Sequence, residues 1–162
     1  MKQKPHTAEE YIKTKVLTAT PTQLQLMLYD GAIRFCEQAR PAVENKEVEK
    51  SYGLISRAEK IVMELCNSMR DEFAPETCAN MRRLYIFCYD RLVEANLKKE
   101  LQPLDEALKV LRHMRQTWLM LMDKERREKA EQADSADQPG DAESQSSEWA
   151  DQQVGAKINF EG

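Results

Sequence analysis

The sequence predicts an all-α protein: an antiparallel up-and-down four-helix bundle with an N-terminal arm and a disordered acidic C-terminal tail. Three observations carry this prediction. Apolar residues recur at three- and four-residue steps through four segments of roughly 20 to 25 residues each. Only 5 Gly and 6 Pro interrupt 162 residues, too few for the many turns of a sheet. The segments are joined by connections of a few residues, which forces neighbours to run antiparallel.

The chain divides into an arm at 1–19, a bundle at 20–128 and a tail at 129–162. In the arm, Tyr11, Ile12, Val16 and Leu17 place bulky apolar groups ahead of the first strong helix cap. Two readings stand for it, a packed arm and a flap over a groove that a partner later occupies. The cap is Thr20, with Pro21 at the first helical position and Gln23 spaced for a capping box. Leu24, Met27, Leu28, Gly31, Ala32, Phe35, Cys36 and Ala39 then share one helical face, widened by Leu26, Tyr29 and Ile33. Gly31 costs a helix about 1 kcal/mol relative to Ala, so a close neighbour is expected there. Pro41 is expected to kink or end this helix near Arg40.

The second bundle helix carries Val48, Tyr52, Ile55, Ala58, Val62, Leu65 and Met69 on one stripe and fades before Pro75. The third, from Glu76 to about Lys99, carries Cys78, Met81, Tyr85, Cys88, Leu92 and Ala95, with Leu84 beside them. The fourth opens at Pro103, carries Leu104, Ala107, Leu108, Leu111, Met114, Trp118 and Met122, and is expected to dissolve into DKERREKAE. Leu28, Leu111 and Trp118 are expected in the inner core. From Lys129 onward stand eight acidic and two basic residues with almost nothing to bury, the pattern of a disordered tail. Trp149, Val154, Ile158 and Phe160 form a sparse apolar tip at its end, readable as a docking peptide or as isolated exposed side chains.

Catalysis has little to stand on. A di-metal site in a bundle needs inward Glu residues and Glu-x-x-His pairs, and the only histidines, His6 and His113, lack the Glu three positions earlier. No phosphate-binding glycine loop or nucleophile elbow is present, and the lone carboxylates Asp30 and Asp90 have no acid–base partner in view. Cys36, Cys66, Cys78 and Cys88 lack C-x-x-C spacing and sit on helical stripes, as reduced small hydrophobes do. The reading therefore has no catalytic residue, no metal ligand and no cofactor. Basic and acidic residues are interspersed through the body, without the patch a nucleic-acid binder needs. No apolar run is long enough to cross a bilayer, and MKQKPHTAEEY has no hydrophobic signal core, so a cytoplasmic location is expected. What remains is a binding module. The apolar faces are wider than one small core requires, and Met27, Met63, Met69, Met81, Met114, Met120 and Met122 supply adaptable contacts for an apolar helix.

Three blocks narrow the partner: YIKTKVLTATPTQLQLMLYDGAIRF from Tyr11, LYIFCYDRLVEAN at Leu84 to Asn96, and LRHMRQTW at Leu111 to Trp118. In order and spacing they resemble the FliS family of flagellin-specific export chaperones over about residues 11 to 120. The resemblance implies a helical bundle without enzymatic activity that binds the C-terminal segment of flagellin in the cytosol, prevents premature polymerisation and delivers it to the flagellar type III export gate. It also implies that the arm, with Tyr11, Val16, Thr18 and Ala19 at matching positions, lies over the apolar surface flagellin uses. The expected partner-binding residues are Tyr11, Ile12, Val16 and Leu17 of the arm with Ile55, Ala58, Val62, Leu65, Leu84, Cys88 and Leu92 of the bundle. The helical ones are expected to border a groove, and some of them to tolerate charge in the free protein. A monomer and an arm-swapped homodimer both stay open as resting states. The alternative function is a self-associating structural or regulatory bundle with no flagellin client.

Overall fold

The computed structural model describes residues 7–69 and 75–137, and these form five helices. The arm is itself a helix, α1 (Ala8–Thr18), opened by a capping box: Thr7 Oγ1 accepts from the Glu10 N–H, and the Glu10 carboxylate accepts from the Thr7 N–H. None of its residues is buried. The next helix, α2 (Pro21–Glu44), starts where the sequence placed it, with Thr20 Oγ1 and Gln23 closing the same reciprocal pair. Pro41 does not end it. The helix passes through Pro41 to Glu44 because the last turn is anchored: Ala42 and Val43 are buried, and the Pro41 carbonyl accepts from the Asn45 N–H at 2.9 Å.

Three further helices follow, α3 (Val48–Asn67), α4 (Pro75–Lys98) and α5 (Leu101–Ala136). The α2–α3 and α4–α5 turns place Lys46 and Lys99 at φ of 56° and 55°, the left-handed conformation that usually belongs to glycine after a helix. Cross-helix partners run in opposite numerical order. Gly31 meets Ile61 and Phe35 meets Arg57 between α2 and α3. Asn96 meets Ser56 while Lys99 meets Tyr52 between α3 and α4, and Cys88 meets Ala107 between α4 and α5. Arg40–Asp105, Glu37–Arg112 and Asp30–Arg115 close the ring between α2 and α5. The body is thus an up-and-down antiparallel bundle of α2 to α5. Small residues bring α3 close to α2: a Cβ on Gly31 would stand 3.3 Å from Ile61 Cδ1, the close neighbour that its place in a helix led one to expect.

The core contains Tyr29, Cys36, Ile55, Ala58, Val62, Leu65, Tyr85, Cys88, Leu92, Leu104 and Leu111, all without solvent exposure. Leu28 and Trp118 pack against it from its margin, and the Trp118 indole N–H reaches the Thr22 carbonyl at 3.2 Å. Across the diagonal between α2 and α4, the Tyr29 and Tyr85 hydroxyls hydrogen-bond one another, with Gln25 donating to Tyr85. Burial pushes both phenols above their ordinary range, so they remain protonated pairing partners. It likewise pushes the Cys36 and Cys88 thiols up to about 12, consistent with inert core residues.

Helix α5 continues to Ala136, beyond residue 129, where composition led one to expect a disordered tail. The reason is local: Lys129, Ala130, Glu131, Gln132 and Ala133 are strong helix formers, and they continue a turn that the Asp123–Arg127 and Lys124–Glu128 pairs at i,i+4 already hold just ahead of them. The apolar tip at Trp149 to Phe160 lies outside the described residues.

Candidate binding surfaces

The helical steps that fill the core leave a second set of positions at each helix margin. On α3, Val48, Tyr52, Ser56 and Glu59 fall on the side turned toward α4. On α4, Tyr89, Val93, Asn96 and Leu97 answer them, and with Lys99 these side chains line a groove of about 660 Å³. Its walls are apolar and open to solvent: Val48 is 61% exposed, Tyr52 60% and Leu97 80%. Met63 and Ile86 extend the same stripes at three- and four-residue steps and are also exposed. Along α3, Val48 to Met63 spans about 22 Å, close to four turns of a helix laid alongside.

The floor of this groove is polar. Asn96 Nδ2 donates to Ser56 Oγ at 3.3 Å and to Glu59 Oε1 at 3.4 Å, while Lys99 Nζ donates to Asn96 Oδ1 at 2.9 Å. The Lys99 ammonium also stands 5.6 Å from the centre of the Tyr52 ring. Partial burial holds the Glu59 carboxyl above its ordinary value, against the smaller opposing pull of the Asn96 amide and the Lys99 charge.

Two smaller clefts flank the bundle. Leu84 and Phe87 of α4 with Glu106, Lys109, Val110 and His113 of α5 line an apolar one of about 380 Å³. Ala8, Tyr11, Ile12 and Lys15 of α1 face Met27, Asp30, Gly31 and Arg34 of α2 across the other. The arm helix and α2 thus share the walls of this cleft. Tyr11 and Leu17 are still 65% and 77% exposed, and Ile12 and Val16 are exposed as well.

The expected site residues separate under this geometry. Tyr11, Ile12, Val16 and Leu17 are exposed on α1, and Leu84 opens onto the α4–α5 cleft. Ile55, Ala58, Val62, Leu65, Cys88 and Leu92 do not border a groove in this structure. All six are fully buried, because they sit on the stripe directed at the bundle axis, and the open positions lie about one helical step round from them. The expectation that they tolerate charge is corrected accordingly. Sequence reasoning missed the groove residues Ser56, Glu59, Tyr89, Val93, Asn96, Leu97 and Lys99, and it assigned Val48 and Tyr52 to the core stripe. The available signal was the series 48, 52, 56, 59, 63, a complete helical row just off the core row.

Of the groups weighed for chemistry, Asp30 is exposed and paired with Arg115, and His113 is exposed on the margin of α5. Among the described residues no group of three His, Cys, Asp or Glu could hold a metal ion, and no helix is long and apolar enough to cross a membrane.

A family model described as flagellar protein FliS matches residues 3–125. The flagellar secretion chaperone FliS of Bacillus subtilis is 34% identical over 127 residues, which cover 78% of this chain and 92% of the relative. The flagellar secretion chaperone FliSB of Pseudomonas aeruginosa is 32% identical over 107 residues, covering 66% of this chain and 85% of the relative. FliS of Salmonella typhimurium is 29% identical over 118 residues, covering 72% and 87%. These relatives are named as chaperones, not as enzymes. With the family model spanning the arm helix and the bundle, the chain belongs to the FliS family of flagellar proteins.

Proposed function

We propose that this protein is a cytosolic flagellar export chaperone that binds the C-terminal segment of flagellin, keeps it from polymerising early and delivers it to the flagellar type III export gate. Family membership supports the chaperone role. The observation that carries the binding mode is the open apolar groove between α3 and α4, long enough for several turns of an amphipathic helix. A segment that coils only on assembly exposes an apolar helical face beforehand, and a groove of this kind shields it. Coupled folding consumes several kcal/mol of the gross interaction, leaving an affinity compatible with release at the gate.

The arm enters this reading as a movable part. Helix α1 has no buried residue, so displacing it costs little, and its Tyr11, Ile12, Val16 and Leu17 are available to cover the client or to be covered by it. The α4–α5 cleft with Leu84 is a second place for client contact.

Calorimetric titration with a peptide from the last ~40 residues of the flagellin of the same genome, long enough for several helical turns, tests the reading. Saturable binding with a negative heat-capacity change is expected; no binding refutes it. The exposed apolar face of α1 also favours a second reading, self-association through the arm. Light scattering of the protein alone and with the peptide separates the two. A dimer unaffected by peptide favours self-association, and a one-to-one complex favours the chaperone.

A further inference from the structure

A polar ladder in an otherwise apolar groove needs a reason, because a client helix that covers it removes its water. Most of the ladder is internally satisfied. Asn96 spends both ends of its amide, donating to Ser56 and Glu59 and accepting from Lys99. Lys99 is committed to Asn96 and to the face of Tyr52. Glu59 is the member left short: the hydrogen bond that reaches it comes to Oε1. Charge points the same way. The groove lining holds Glu49 and Glu59 against the single cation Lys99, a net charge of −1.

We propose that Glu59 is a specificity-determining residue of the α3–α4 groove, pairing with one lysine or arginine on the client helix and thereby fixing that helix's register. This rests on the chaperone reading above. An apolar helix slides in an apolar groove at little cost, since shifted registers bury similar area. One carboxylate that must find its cation singles out one of them. Asn96 acts as the positioning residue, holding Glu59 Oε1 against α4 and leaving Oε2 for the client's cation. The partial burial that raises the Glu59 carboxyl also strengthens its attraction for a cation once the client excludes water.

The test is a set of double-mutant cycles by calorimetry, using the full chain and the flagellin C-terminal peptide, with each Lys and Arg of the peptide replaced singly by Ala. Against the parent protein, one peptide change is expected to weaken binding about tenfold. Against Glu59→Gln, the same change should have almost no effect, while the other peptide changes act as before. Replacing that one peptide cation by Glu should be rescued at least in part by Glu59→Lys and not by Glu59→Gln, a reversal that a merely structural role for Glu59 would not produce. Circular dichroism confirms that both variants are folded; Glu59→Gln preserves the shape and the Asn96 contact. If every peptide variant shows the same ratio of affinities for parent and Glu59→Gln, the pairing is refuted while the chaperone reading stands. If the parent does not bind the unmodified peptide, the chaperone reading falls and the inference falls with it.

Discussion

Leu92 and Leu97 lie five residues apart on α4, and the structure gives them opposite roles: Leu92 has no solvent exposure, and Leu97 is 80% exposed on the wall of the α3–α4 groove. Substituting Asp at each separates fold from binding. At Leu92 the change removes roughly 1.5–3 kcal/mol of apolar burial. It leaves space that the core around Cys88 and Ala95, one helical turn away on either side, fills only in part, and it places a carboxylate with no partner where burial costs several kcal/mol more. The total exceeds ~5 kcal/mol, comparable with the whole stability of a domain this size. Leu92→Asp should therefore lose the helical signal and the cooperative thermal transition. At Leu97 the free protein gains an exposed charge, and its stability should move by no more than about 0.5 kcal/mol. The client helix would then bury that charge at a cost of about 1–3 kcal/mol, weakening flagellin-peptide binding roughly tenfold or more. Circular dichroism melts and calorimetric titration read the two effects. A folded Leu92→Asp with an unchanged midpoint would refute the assignment of Leu92 to the core, and a folded Leu97→Asp that binds like the parent would refute the groove.

Four further outcomes follow from particular contacts. Lys46→Gly should raise stability by about 1 kcal/mol and the thermal midpoint by a few degrees, because it relieves a left-handed residue whose side chain faces solvent; no rise would mean the turn is not strained. Tyr85→Phe should cost about 1–3 kcal/mol in denaturant unfolding by leaving the buried Tyr29 hydroxyl without its partner, and Tyr29→Phe/Tyr85→Phe together should cost less than the sum of the singles. Thiol labelling followed by mass spectrometry should modify the partly exposed Cys78 first and leave Cys36 and Cys88, buried and pushed up to about 12, unmodified until the protein unfolds. Glu59→Gln should stabilise the free protein at neutral pH. A carboxyl raised on folding prefers its proton, so its ionised form opposes folding above the folded value, and the gain over the parent should vanish as pH falls below 4.5. A variant less stable than the parent at neutral pH would show that the ionised ladder is itself a stabilising element.

The sequence alone determined the fold class, the start of α2 at Thr20 and the core stripes, because capping chemistry and helical periodicity are local properties written within a few residues. It also carried the family, through the blocks at Tyr11, Leu84 and Leu111. Local patterns were less decisive at helix ends. Pro41 signals a stop, yet burial of Ala42 and Val43 carries α2 past it, and the acidic composition after Lys129 hid a helix that strong helix formers such as Lys129, Ala130, Glu131 and Gln132 carry on to Ala136. Only the tertiary structure decided which apolar residues are core and which line the open α3–α4 groove. Periodicity gives an apolar stripe a width but not an axis, so Tyr52 and Ile55 looked equivalent until α4 packed beside α3. That packing buried Ile55, left Tyr52 on a groove wall, and brought Glu59, Asn96 and Lys99, distant in the chain, into one ladder on its floor.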